Sequence, residues 1–282
     1  MNFSSTIIFA LLIMLLALNG ACANALLAAS ANDREERVFT LEPGGVFSLD
    51  NVNGDITVQA SEGKQVKVVA LKRAKAMDQA KAQAALLKVK VLIESSPSEI
   101  SVKTSYPNAR EGLLNLGAWV SVDYTVMVPG GTALKLSGVN GTVNVTVPAS
   151  VVLCEVTNGS IRVEGASLLT ATTVNGSIRF AVENIREVTS TNGAIEGSVL
   201  SVKPSAGKVE TVNGSITLSL AKAAAARIEA ENVNGSIRND LPGLNEEKHS
   251  LSGDLNGGGF ALSVETVNGA IEITGSGDRV IR

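Results

Sequence analysis

Eight times the chain writes Val or Thr, then Asn-Gly, then any residue, then Ile or Val. The pairs are Asn53-Gly54, Asn140-Gly141, Asn158-Gly159, Asn175-Gly176, Asn192-Gly193, Asn213-Gly214, Asn234-Gly235 and Asn268-Gly269. From the second copy onward the Asn-to-Asn spacings are 18, 17, 17, 21, 21 and 34. An internal period near 20 is the mark of stacked repeats, in which each turn of chain hides its apolar lining against the next, rather than of one globular core.

Aligned on Asn, the copies share a pattern of packed and wet positions. Two residues past Gly is Ile or Val, and the next residue is polar: Thr57, Asn144, Arg162, Arg179, Glu196, Thr217, Arg238 and Glu272. Four before Asn the residue is apolar, and three before it is mostly polar or acidic, as in Asp50, Glu155, Glu210, Glu231 and Glu265. Asn-Gly between alternating residues is also the strongest short-range hairpin signal, so a meander of hairpins competes with a parallel solenoid. A hairpin puts the Val before Asn on the polar face. A solenoid corner resets the alternation and lets that Val and the following Ile both point inward, while like Asn side chains bond from coil to coil and Gly takes positive φ. The pattern therefore predicts an all-β, parallel β-solenoid of about 17–21 residues per coil over 132–282. The last spacing of 34 reads as two coils divided at a degenerate corner, Ser252-Gly253-Asp254-Leu255.

Residues 34–131 read as a β-rich N-terminal cap carrying the first corner. Short strands are expected at Val38–Leu41, Val46–Leu49, Ile56–Val58, Val66–Leu71 and Ile100–Val102, and Trp119–Val128 alternates as a half-buried strand. Between them Ala74, Met77, Ala80, Ala84 and Leu87 recur at helical spacing, which predicts one amphipathic helix near 74–88. Ahead of the cap no residue is charged until Asp33, and Ile7–Leu18 is an unbroken apolar run of 12 followed by Ala21-Cys22-Ala23. This fits a signal peptide over 1–23 and export to the periplasm, cell surface or medium. The rivals are a lipidated Cys22 and an uncleaved anchor, and membrane association is expected only through that leader.

Chemistry is thin in this sequence. The net charge of −3 gives no basic patch for nucleic acid. His249 is the single histidine and lies in a polar loop, so a histidine triad or metal centre has little material. With the leader removed Cys154 stands alone, at the small apolar position four before Asn158. No catalytic, cofactor or metal residue is assigned. The sequon matches at Asn140, Asn158, Asn175, Asn213 and Asn234 are explained by the turn. Arg162 and Arg179, on adjacent coils, form the one candidate surface strip for an anionic or sugar ligand, against the alternative of an ion-paired solvated face.

The Val-Asn-Gly-Ser-Ile and Thr-Asn-Gly-Ala-Ile coils, Asn53-Gly54-Asp55-Ile56 and Val128-Pro129-Gly130-Gly131 resemble the bacterial putative-adhesin domains of unknown function, a family of β-solenoid envelope proteins. The resemblance covers roughly Arg34 to the C-terminus and rests on structural corners, so it implies a fold and carries no catalytic residue. The expected function is a non-enzymatic envelope module binding a polymer, glycan or protein. Two alternatives are a stress or regulatory component acting through a protein partner, and a polysaccharide-degrading β-helix enzyme. The last needs convergent carboxylates, whereas Glu155, Glu210, Glu231 and Glu265 are spread one per coil.

Overall fold

The computed structural model describes residues 29–107, 117–201 and 205–276. The chain runs β1 (Ala29–Thr40), β2 (Val46–Asn53), β3 (Ile56–Ala60), β4 (Gln65–Ala76), α1 (Gln79–Lys88), β5 (Lys90–Ser95), β6 (Glu99–Ser105) and β7 (Trp119–Val128). Strand–corner–strand pairs follow: β8 (Ala133–Asn140) and β9 (Val143–Thr146), β10 (Val151–Asn158) and β11 (Ile161–Glu164), β12 (Leu168–Asn175) and β13 (Ile178–Val182). Next are β14 (Asn184–Asn192) and β15 (Ile195–Val199), then β16 (Gly207–Asn213) and β17 (Ile216–Ala221). The C-terminal part holds β18 (Ala226–Asn234), β19 (Ile237–Asn239), β20 (Leu244–Glu246), β21 (Ser250–Leu255), β22 (Phe260–Asn268) and β23 (Ile271–Ser276).

The described chain divides into two compact units. One comprises 29–34, 71–90, 105–107 and 117–122; the other holds the remaining described residues and all eight Asn-Gly corners. In the smaller unit, Asp78 caps α1 by accepting from the Lys81 N–H at 2.8 Å, which holds its carboxyl below the usual range. The helix is shorter than the predicted 74–88. Ala74 and Ala76 are buried at the end of β4, because the period-2 alternation from Val66 prevails over the helical spacing. The buried helix residues are Ala82, Ala85 and Leu86, while Met77 and Leu87 are exposed.

In the larger unit each coil sends one strand into each of two sheets, with Asn-Gly at the bend between them. One sheet has the order β1-β4-β7-β3-β9-β11-β13-β15-β17-β23-β19, the other β20-β21-β18-β22-β16-β14-β12-β10-β8-β2-β6-β5. Neighbouring coils pair in parallel with like residue on like: Cys154 meets Leu136 and Ala171, and Ile161 meets Val143 and Ile178. The fold is thus a parallel β-solenoid, and hairpins at the Asn-Gly bends are ruled out. The aliphatic lining, with Phe180 its large aromatic member at mid-stack, is buried between the sheets.

Three details of the corner differ from expectation. The Val before Asn does not turn inward: Val139, Val174, Val212, Val233 and Val267 are 38–63% exposed. Strand alternation continues up to the Val or Thr before Asn, and the inward place beside the bend goes to the residue two before Asn. There Thr173, Ser190, Thr211 and Thr266 are buried, and each hydroxyl donates to the corner glycine carbonyl of the preceding coil at 3.0–3.1 Å. Glycine is needed for close approach more than for φ. A Cβ on Gly141, Gly159, Gly176, Gly193, Gly214, Gly269 or Gly235 would overlap the neighbouring corner's carbonyl oxygen, although several of these residues lie outside the left-handed region. Third, the 34-residue spacing is not two coils. β22–β23 inserts between β16–β17 and β18–β19, and residues 244–255 form an antiparallel hairpin, β20–β21, on the outer edge of β18.

Candidate binding face

Along the bends the eight Asn side chains form one ladder. From Asn140 onward Nδ2 of each donates to Oδ1 of the Asn before it in the stack, in the order Asn53, Asn140, Asn158, Asn175, Asn192, Asn213, Asn268, Asn234, at 2.7–3.0 Å. Each amide bridges the roughly 4.8 Å between parallel strands with one hydrogen bond. The ladder fixes register, and register determines which outward side chains meet on the sheet faces.

On the outer face of the β2-containing sheet, four strands build a checkerboard. Ser101, Ser48, Lys135 and Leu153 form one row across β6, β2, β8 and β10; Lys103, Asp50, Ser137 and Glu155 form the next. Serines on β6 and β2, beside longer side chains on β8 and β10, leave a groove of about 480 Å³. Half-buried Leu153 supplies an apolar floor, Lys103 pairs with Asp50 at 3.5 Å, and Lys135 has no carboxylate partner among the described residues. The groove offers hydroxyls, both signs of charge and one apolar patch within a few ångströms.

The groove escaped the repeat alignment. Ser48, Lys135 and Leu153 stand five residues before their corner Asn, but Ser101 and Lys103 come from β6, which leads into no Asn-Gly bend.

Arg162 and Arg179 lie on the other sheet, directly paired in register, with Glu196 next to Arg179. Each guanidinium is engaged: Arg162 donates to Glu164 at 2.7 and 2.9 Å, and Arg179 donates to Glu196 at 3.2 Å. The strip is ion-paired at both arginines. The acidic positions keep their one-per-coil spread, and the insertion of β22 sets Glu210, Glu265 and Glu231 in register on three adjacent strands. Lys208 bridges Glu210 and Glu265 at 2.8 and 3.8 Å, and Ser263 donates to Glu265 at 2.8 Å. Those hydrogen-bonded carboxylates raise the Lys208 pKa.

Cys154 is fully buried, and desolvation, aided by Glu155, pushes its thiol far up, so it is a packing residue without a thiolate. His249 is exposed, its Nδ1 2.8 Å from Asn232 Oδ1. Among the described residues no group of three His, Cys, Asp or Glu is placed to hold a metal, and no helix is long and apolar enough to cross a membrane. The leader, Cys22 included, lies outside the described residues.

A family model, Toastrack DUF4097, matches residues 47–280. Among solved structures the chain is similar to a putative cell adhesion protein from Clostridium sporogenes, with 15% identity, coverage of 86% of this chain and 100% of that one, and a TM-score of 0.39. It is also similar to a putative adhesin from Bacteroides fragilis, with 10% identity, coverage of 86% and 97%, and a TM-score of 0.35. A putative lipid binding protein from Parabacteroides distasonis gives 12% identity, coverage of 87% and 97%, and a TM-score of 0.38. The search of curated proteins finds no match.

Proposed function

The chain belongs to the Toastrack DUF4097 family, and we propose that this member is a non-enzymatic binding module of the bacterial envelope that holds a hydroxyl-rich polymer, such as a cell-wall or surface glycan, on its β-solenoid face. The observation carrying the reading is the groove framed by Ser48, Ser101, Lys103, Lys135, Leu153 and Glu155. A sugar ring presents an apolar face and a rim of hydroxyls. Leu153 suits the first, while Ser48, Ser101 and Ser137 suit the second by giving and accepting hydrogen bonds. Lys135, without a carboxylate partner among the described residues, suits an anionic substituent. The Arg162–Arg179 strip is the weaker candidate, since an incoming anion has to displace Glu164 and Glu196. Export fits the uncharged apolar leader, and places the module in the periplasm, on the surface or in the medium.

The test is binding of the leaderless full chain to purified cell-wall and capsular polysaccharides on a glycan array. The Lys103→Ala/Lys135→Ala double variant is expected to lose about tenfold or more in affinity, equivalent to about 1.4 kcal/mol. Arg162→Ala/Arg179→Ala is expected to bind like the parent. Loss confined to the arginine variant transfers the site to the other sheet. Absence of any polysaccharide binding, together with capture of one protein species from intact envelopes, replaces this reading with a partner-dependent regulatory role.

A further inference from the structure

The eight Asn-Gly corners share a local sequence, yet one of them is chemically exposed. In seven corners the glycine N–H donates to the Asn main-chain carbonyl of the next coil: Gly54 to Asn140, Gly141 to Asn158, Gly159 to Asn175, Gly176 to Asn192, Gly193 to Asn213, Gly214 to Asn268 and Gly269 to Asn234. The same seven Asn Oδ1 atoms each accept from the next ladder amide. Gly235 has no following coil. Its N–H and the Oδ1 of Asn234 have no partner among the described residues, and Gly235 is exposed where the other seven corner glycines are half-buried.

Those two groups are the reactants of succinimide formation. We propose that Asn234 is a spontaneous deamidation site, the one corner of the ladder that the fold leaves open to this modification. The Gly235 main-chain nitrogen attacks Cγ of Asn234. An N–Cγ bond forms, the Cγ–Nδ2 bond breaks, and the proton from the Gly235 N–H leaves with the side-chain nitrogen as ammonia. Solvent water then adds across either imide C–N bond and yields aspartate or isoaspartate. In the five corners from Asn140 to Asn213 and at Asn268 the same attack has to pull the glycine N–H off a neighbouring carbonyl and swing an Asn amide out of bonds on both sides. At Asn234 only the Nδ2 bond to Asn268, 2.9 Å, has to yield. Deamidation at this position puts a new negative charge at the end of the stack, three residues from Glu231.

The chain carries its own controls, because Asn158, Asn175, Asn213 and Asn234 are all followed by Gly-Ser. Asn256-Gly257 lies outside the ladder, its Nδ2 held by the carbonyls of Lys222 and Ala224 at 3.0 and 2.8 Å. The experiment is incubation of the folded chain in mildly alkaline buffer at body temperature, followed by peptide mapping with mass spectrometry and isoaspartate detection. Asn234 is expected to convert roughly tenfold or more faster than Asn158, Asn175 and Asn213. In denaturant the four rates are expected to converge. Equal rates in the folded protein overturn the proposal, and so does a lead for Asn234 that persists unchanged in denaturant, since the cause is then local sequence rather than the open end.

Discussion

The five coils from Asn140 to Asn213 lie in the stack in the order the chain makes them, whereas the coils near both ends do not. At one end β6 and β7 sit outside β2 and β3 although they come later in the chain; at the other, the last-made β22 and β23 sit inside β18 and β19. The middle and the ends obey the same corner rules. Asn268 bonds Asn213 and Asn234 as well as any sequential neighbours do. A corner therefore specifies the register of whatever copy lies next to it and leaves the choice of copy open. The ends also handle their edges differently from the middle. The β20–β21 hairpin covers β18, and the three-residue β19 keeps the exposed edge of its sheet short. Where β6 adds a strand without an Asn-Gly bend, a buried chain takes over, from the Tyr124 hydroxyl to Thr104 and on to Asn51, at 2.7 and 2.9 Å.

The comparison breaks first at the glycines. Gly176→Ala in mid-stack forces a Cβ onto the Gly159 carbonyl, and a loss of about 4 kcal/mol or more, or failure to fold, is expected. Gly63, at φ +68° with open space around it, is the contrast: Gly63→Ala is expected to cost about 1–2 kcal/mol. Equal losses in denaturant titrations would show that backbone approach is not what fixes glycine at the bends.

The next effect tests shape matching between neighbouring coils. Phe180 pairs in register with Gly197, and a Cβ there would strike the ring. Phe180→Ala is expected to cost about 3–5 kcal/mol, and Gly197→Ala about 1–3 kcal/mol. Phe180→Val combined with Gly197→Ala is expected to cost less than the two single changes summed, because they share one space. Additive losses would deny that coupling.

Asn175→Ala removes two ladder bonds and Asn234→Ala removes one. Thermal or chemical unfolding should register about 1–2 kcal/mol for the first and about half that for the second. A larger effect at Asn234 would contradict the view of that corner as the open end.

The smallest effect is electrostatic and confined to the C-terminal end. Arg227 hydrogen-bonds Asp254 between β18 and β21 and holds its carboxyl below the usual range. A lowered carboxylate pKa contributes stability that is present above the unfolded value and is lost as pH falls through the folded one. Arg227→Gln should flatten that acid limb of the melting-temperature profile, and added salt should shrink the difference, since the pair is exposed. An unchanged limb would mean that the pair does not hold the hairpin.

Much of the site was hidden for the reason that the ends were. Lys103 and Ser101 reach the groove only because β6 adds beside β2, a pairing between segments some fifty residues apart that no local signal marks. Of Ser48, Lys135 and Glu155, the repeat pattern marked only Glu155 as a polar position. It set Arg162 beside Arg179, with Glu196 at the same aligned position, but Glu164, the partner of Arg162, sits at a position the corner pattern leaves free. The Val before Asn misled because the bend resets alternation one residue later than the apolar pattern implies.

By itself the sequence determined an all-β parallel solenoid, its Asn-Gly bends and the aliphatic positions that line it, since these depend on contacts that every copy makes with any copy. Only the tertiary structure decided which coil lies next to which, where α1 begins, where the groove opens and which Asn corner is left without a neighbour. Near-identical bends make neighbours nearly interchangeable in energy, so coil order is decided by long-range packing and edge covering at the two ends.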